Sequence, residues 1–153
     1  MTEPAAAPST DAAAYIDQLI GTYRELNLRV RPLPEARLSA DHGGESIRQV
    51  VSAMRDHELT FSQWLKERTA DFPRTSDEAP PPITGLETEA DSTAMLISQF
   101  GTARGTTLST LKALPPEAWR TQRSDGTDLE DAVRDLVARD KDAIERILSM
   151  LTS

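Results

Sequence analysis

Hydrophobic residues recur every three or four positions in four separate stretches of this chain, which is the spacing of amphipathic helices. The first stretch covers about residues 11–30 and has its apolar face at Ile16, Leu19, Ile20, Tyr23, Asn27 and Val30. The second has its face at Val50, Met54, His57, Phe61 and Trp64. No stretch alternates with a period of two over a useful length. The pattern therefore predicts an all-α fold.

The third and fourth stretches continue the same pattern. The third covers about residues 91–114 and has its apolar face at Ile97, Phe100, Ala103, Thr107, Leu111 and Leu114, before Pro115 and Pro116 prevent further helix. The fourth follows Gly126 and has its face at Val133, Leu136, Val137, Asp140, Ile144, Ile147 and Leu151. Four such helices predict a four-helix bundle.

Two helix starts carry capping signatures. Ser46 precedes the second stretch and Gln49 follows it by three residues, so the two side chains are expected to form a capping box. Before the fourth stretch, Thr127, Asp128 and Glu130 give a similar signal. Both helices should begin at these residues.

The connection between the second and third helices covers about residues 69–90 and contains Pro73 and three consecutive prolines at 80–82. About 20 residues can span a whole helix, because an extended chain covers about 3.3 Å per residue. The two helices could then be parallel, which predicts an up-down-down-up bundle with a long Pro-rich crossover. The alternative is a surface loop between antiparallel helices.

Composition limits the chemistry that is available. The chain has 153 residues, which suits one domain, and we expect a disordered tail at 1–10 and a single domain at 11–153. It has no cysteine and two histidines, His42 and His57, so thiolate zinc sites and cysteine nucleophiles are excluded. His42 is expected to be exposed, and no cofactor is predicted.

Charge and hydropathy exclude two classes of partner. The formal net charge of −8 is spread along the chain, which disfavours binding to nucleic acid. No apolar run reaches the roughly 18 residues of a membrane span, and the N-terminus lacks the pattern of a signal peptide. We expect a cytoplasmic protein that does not bind membranes.

Several segments together resemble the DinB/YfiT-like family of four-helix bundles. They are Ser46-Ile47-Arg48-Gln49-Val50-Val51, Phe100 with Arg104 and Thr107-Leu108, Leu114-Pro115-Pro116-Glu117-Ala118-Trp119, Gly126, and the Asp140-containing stretch. In that family three histidines hold a metal, and the resemblance places those ligands at Ala53, Arg139 and Ala143. All three are missing here, so the resemblance implies the fold, and a homodimer, without the metal chemistry.

The remaining candidate site residues lie around these positions. His57 is on the same helix face as Ala53 and is either a displaced metal ligand or a histidine at the edge of the core. Asp140 needs a partner if it is buried. One hypothesis is that Arg139 or His57 supplies positive charge to Asp56 and Asp140 in place of the metal; the alternative is that Arg139 lies on a solvated, mixed-charge helix face.

Two functions are consistent with these residues. The first is a metal-free binding module for a small molecule or a protein, with a remnant pocket at Ala53, Asp56, His57, Arg139, Asp140 and Ala143. The second is a transferase or hydrolase with a divergent metal site around His57. A lone histidine with carboxylates is a weak indication of a metal site, so the first is favoured.

Overall fold

The computed structural model describes residues 7–70, 92–120 and 128–152, with side chains from residue 12 onward. Five α-helices pack together: α1 (Ala7–Glu25), α2 (Glu35–Leu38), α3 (Ile47–Arg68), α4 (Thr93–Ala113) and α5 (Leu129–Leu151). A π-helical segment, Leu26–Val30, extends α1, and a 3₁₀ turn, Pro116–Trp119, follows α4. These residues contain no β-strand. The prediction of an all-α fold is confirmed.

The helix starts follow the capping signals in the sequence. The Ser46 amide donates to Gln49 Oε1 at 2.8 Å and the Gln49 amide donates to Ser46 Oγ at 3.1 Å, which confirms the capping box of α3. Asp128 accepts the Asp131 amide at 2.8 Å and caps α5. Each bond satisfies an amide that the first turn of a helix leaves without a partner.

Two predictions, on the N-terminal tail and on His42, need revision, and parts of two predicted segments lie outside the described residues. α1 begins at Ala7, so residues 7–10, expected in the tail, form its first turn, where proline is tolerated because the first amides of a helix have no intrahelical acceptor. His42 is half-buried rather than exposed, because its amide donates to the Glu45 carbonyl and closes the loop. Residues 1–6 of the tail and 71–91 of the Pro-rich connection lie outside the described residues.

The long helices contact one another in a consistent order. The largest interface joins α3 and α4, and its contacts advance along both helices together, from Arg55–Gln99 to Glu58–Arg104. Contacts between α1 and α5 also advance together, from Tyr15–Arg134 to Thr22–Asp140. Contacts between α1 and α4 follow the opposite order, from Leu19–Arg104 to Tyr23–Phe100, and continue beyond α1 to Arg31–Ala94.

The apolar core has two parts. One is formed by Leu26, Val30, Val50, Val51, Met54, Ile97, Phe100 and Ile147, and the other by Leu19, Leu65, Leu111, Trp119, Leu129, Val133 and Leu136. Arg104 lies on α4 between Phe100 and Leu111, and is fully buried. A layer of charge therefore separates two apolar layers.

Among the described helices, none has both the length and the hydropathy of a membrane span.

The buried face of α3 differs from the predicted one in its second half. After Val50 and Met54, the buried positions are Glu58, Ser62 and Leu65, whereas Phe61 is half-buried and Trp64 is 36% exposed. The prediction that the core face continues through His57, Phe61 and Trp64 is therefore wrong for Trp64, whereas His57 is half-buried and Phe61 packs against the second part of the core. The face is rotated by one residue because Glu58 is bonded to Arg104 in the interior.

Candidate functional site

Arg104 is held at the centre of the protein by two carboxylates from different helices. Its Nε and Nη2 atoms donate to Glu58 Oε2 and Oε1, each at 2.8 Å. Its Nη1 and Nη2 atoms donate to Asp140 Oδ2 and Oδ1 at 2.8 and 3.0 Å. Nη1 also donates to the Leu19 carbonyl at 2.9 Å. All five N–H donors of the guanidinium are thus satisfied. We call Glu58, Arg104 and Asp140 the charge cluster.

Neighbouring groups complete the environment of the charge cluster. Thr22 Oγ1 donates to Asp140 Oδ2 at 2.6 Å, and the guanidinium lies over the Phe100 ring at 4.8 Å. Burial acts to lower the pKa of Arg104, but its hydrogen bonds and charge interactions with Glu58 and then Asp140 outweigh burial and raise that pKa. Arg104 therefore stays charged at every pH at which the protein is folded. The expectation that a buried Asp140 needs a partner is confirmed.

A small cavity of about 60 Å³ lies beside the charge cluster, between α3 and α5. Its lining includes Ala53, His57, Glu58, Arg139, Asp140 and Ala143. Five of the six residues predicted for a remnant pocket are therefore brought together. Asp56 is not among the lining residues, because its carboxylate is 64% exposed and pairs with Arg55 at 2.8 Å.

The residues around this cavity do not fit the metal that the family resemblance implies. Ala53 and Ala143 have no donor atom, and Arg139 would repel a cation. The oxygen atoms of Glu58 and Asp140 already accept hydrogen bonds from Arg104. Within the described ranges no group of three or more His, Cys, Asp or Glu side chains could hold a metal ion. The site is built around a guanidinium instead.

The cation of the cluster differs from the one in the hypothesis drawn from sequence. Asp140 pairs with Arg104, whereas Arg139 is exposed and His57 is half-buried. No side chain in the part of the chain that the structure describes forms a hydrogen bond or ion pair with Arg139. Adjacent residues of a helix point about 100° apart, so Asp140 is directed into the core while Arg139 stays exposed at the outer side of the cavity.

His57 lies between the cavity and the protein surface. Its ring stacks on Phe61 with the centroids 6.4 Å apart and an angle of 22° between the planes. Burial lowers its pKa below the ordinary 6.5, and the positive charge of Arg139 lowers it further, against the opposing effects of Glu58 and Asp140. The imidazole is therefore mostly neutral at neutral pH. It can donate or accept a hydrogen bond there, but it contributes little positive charge.

An open groove continues from His57 along the surface between α3 and α5. Its volume is about 350 Å³, and its lining includes His57, Phe61, Trp64, Asp135, Leu136 and Arg139. We call it the α3/α5 groove. A second groove, of about 310 Å³, lies between α1 and α5 and includes Gln18, Gly21, Val137 and Lys141 in its lining. We call that one the α1/α5 groove.

Comparison with known proteins identifies no relative: no family model, no curated protein and no solved structure matches the chain. The function of the site is therefore inferred from the geometry of its residues. The DinB/YfiT-like resemblance stays a prediction.

Glu58 was assigned no role from the sequence, and Arg104 was named only within a segment that resembles the family. The spacing of apolar residues nevertheless indicated that both side chains are buried. Arg104 continues the apolar face of α4 in steps of four and three between Phe100 and Thr107, and Glu58 does the same on α3 between Met54 and Phe61. Opposite charges within two apolar helix faces indicate a buried ion pair, because neither charge could be buried alone.

Proposed function

We propose that this protein is a metal-free, up-down-down-up four-helix bundle of the DinB/YfiT-like type that binds a small molecule in the α3/α5 groove. The order of the helix contacts supports the topology. Contacts advance together along α3 and α4 and along α1 and α5, and in opposite directions along α1 and α4. Two parallel pairs, packed antiparallel to each other, give this arrangement and require a long crossover before α4.

The closed centre of the protein supports a binding role. A metal-assisted reaction in this fold would use ligands that project into the bundle, but the inward carboxylates of Glu58 and Asp140 are both engaged by Arg104. What stays accessible is the groove beside them. The charge cluster therefore serves to hold α3, α4 and α5 in register and to fix the two walls of that groove.

One observation carries the proposal: the α3/α5 groove combines an accessible tryptophan with an unpaired guanidinium. Trp64 is 36% exposed, which is unusual for so large an apolar ring, and Arg139 on the opposite wall is bonded to no described side chain. A volume of about 350 Å³ lies within the range of small-molecule sites. An apolar wall with a few polar groups is the usual composition of such sites.

The proposal predicts ligand-induced shifts that are confined to this groove. Nitrogen-15 NMR spectra of the full chain, titrated with a collection of small aromatic, aliphatic and charged compounds, should show the Trp64 indole N–H moving for some of them. Trp119 is buried elsewhere and serves as an internal control. Trp64→Ser should abolish the accompanying shifts of the backbone amides of the other groove residues. If no compound shifts groove residues, or if shifts cluster in the α1/α5 groove, the proposal is wrong.

Metal analysis separates this proposal from the enzyme with a divergent metal site. Protein purified without an affinity tag should contain zinc, nickel and iron at far less than one equivalent. Stoichiometric metal that disappears in His57→Ala would instead support a site around that histidine. We also propose that the protein is cytoplasmic and forms a homodimer. In the second form of the proposal, it binds a protein partner instead of a small molecule.

A further inference from the structure

Three aromatic rings form one wall of the α3/α5 groove. His57, Phe61 and Trp64 follow one another along α3 at spacings of four and three residues, which places them on one helix face. Phe61 contacts Trp64 with centroids 5.4 Å apart and planes tilted by 41°. Because His57 also stacks on Phe61, the wall is continuous from the cavity to the surface. Such a wall favours a flat ring that can pack against it.

The opposite wall carries charged side chains, which a charged substituent on such a ring would meet. Arg139 and Asp135 project from α5 into the groove lining, one helical turn apart, and no ion pair joins them. On the first wall, the Arg68 guanidinium lies 5.2 Å from the centroid of the Trp64 ring. Within the groove lining, Arg139 and Asp135 supply one positive and one negative charge, in a chain whose net charge is −8.

The geometry points to a planar aromatic acid as the occupant of the α3/α5 groove, with its ring against Trp64 and Phe61 and its carboxylate on Arg139. This inference rests on the proposed function, that the groove binds a small molecule. Arginine suits the role because its planar guanidinium can donate two parallel hydrogen bonds to one carboxylate. A cationic occupant is disfavoured, because it would meet the positive charge of Arg139 on the α5 wall.

Three probes of one shape and different charge test the inference. Naphthalene-2-carboxylate, its neutral carboxamide and the cationic 2-naphthylmethylamine are titrated into the full chain at low salt, and the Trp64 indole N–H shift reports binding. Because Arg139 can donate two hydrogen bonds to a carboxylate but is exposed to solvent, the carboxylate should bind a few-fold more tightly than the carboxamide at low salt. The cationic amine should bind most weakly.

Two variants assign the preference to Arg139. Arg139→Gln should remove the advantage of the carboxylate over the carboxamide, whereas Lys141→Gln, which changes the net charge equally on the same helix, should keep it. Both side chains are exposed, so both variants should fold. Equal binding of the three probes, or a preference that survives Arg139→Gln, overturns the inference and leaves a small-molecule site. No response of Trp64 to any of the three probes also overturns the inference, whereas the proposed function fails only if no compound of the wider collection shifts groove residues.

Discussion

Replacing Arg104 with methionine should lower the free energy of unfolding by about 3–5 kcal/mol, as expected when a buried ion pair loses one partner. Methionine is close to arginine in length and fills irregular space well, so the loss reports charge more than packing. The variant leaves the Glu58 and Asp140 carboxylates buried without a counter-charge. Urea denaturation followed by circular dichroism measures the change.

Two comparisons show whether the loss comes from uncompensated charge. Arg29 pairs with Glu25 on the surface of the first helical segment, so Arg29→Met should change stability by no more than about 0.5 kcal/mol. The triple variant Glu58→Leu, Arg104→Met, Asp140→Leu should recover most of the stability, because well-packed apolar residues often replace a buried ion cluster without loss. A single Arg104→Met variant as stable as Arg29→Met would contradict the account.

Histidines at the three positions where the DinB/YfiT-like resemblance places metal ligands should create a metal site. In the variant Ala53→His, Arg139→His, Ala143→His, the two α5 histidines are four residues apart on one face, and all three positions line the same cavity. Isothermal titration should then detect one equivalent of zinc or nickel. At a free metal concentration of 100 times Kd, the variant should gain about 2.7 kcal/mol of stability.

A matched variant controls for the number and spacing of the histidines. Ala53→His, Lys141→His, Glu145→His has the same four-residue spacing on α5, but Lys141 and Glu145 border the α1/α5 groove instead. It should bind metal far more weakly than the first variant. Equal affinities, or no binding by either, would contradict the DinB/YfiT-like placement of the ligand positions and with it the proposed lineage.

Much of the fold could be predicted from the sequence because its determinants are local. The capping box of Ser46 and Gln49 involves residues three apart, and the apolar face of α4 repeats within a single helix. Pro115 and Pro116 end that helix without any contact from another part of the chain, because proline lacks an amide hydrogen. Such features are present in any short window of the chain.

The charge cluster could not be placed in the same way because its partners are distant in sequence. Arg104 is 46 residues from Glu58 and 36 from Asp140, and periodicity does not say which charge meets which. The same contact rotates the buried face of α3, so the exposure of Trp64 and the half-burial of Phe61 were also missed. The groove follows from that rotation, because its wall is formed by Trp64, which is left outside the core, and by Phe61, which is only half-buried.

A guanidinium, rather than a metal, holds the inward carboxylates of Glu58 and Asp140. A nitrogen-15 NMR spectrum of the arginine side chains at neutral pH, recorded before and after addition of one equivalent of zinc, tests this arrangement. Arg104 should give resolved, slowly exchanging Nη protons, because all five of its N–H groups are bonded and buried, and zinc should leave them unchanged. Fast-exchanging Arg104 signals, or signals displaced by zinc, would contradict the account.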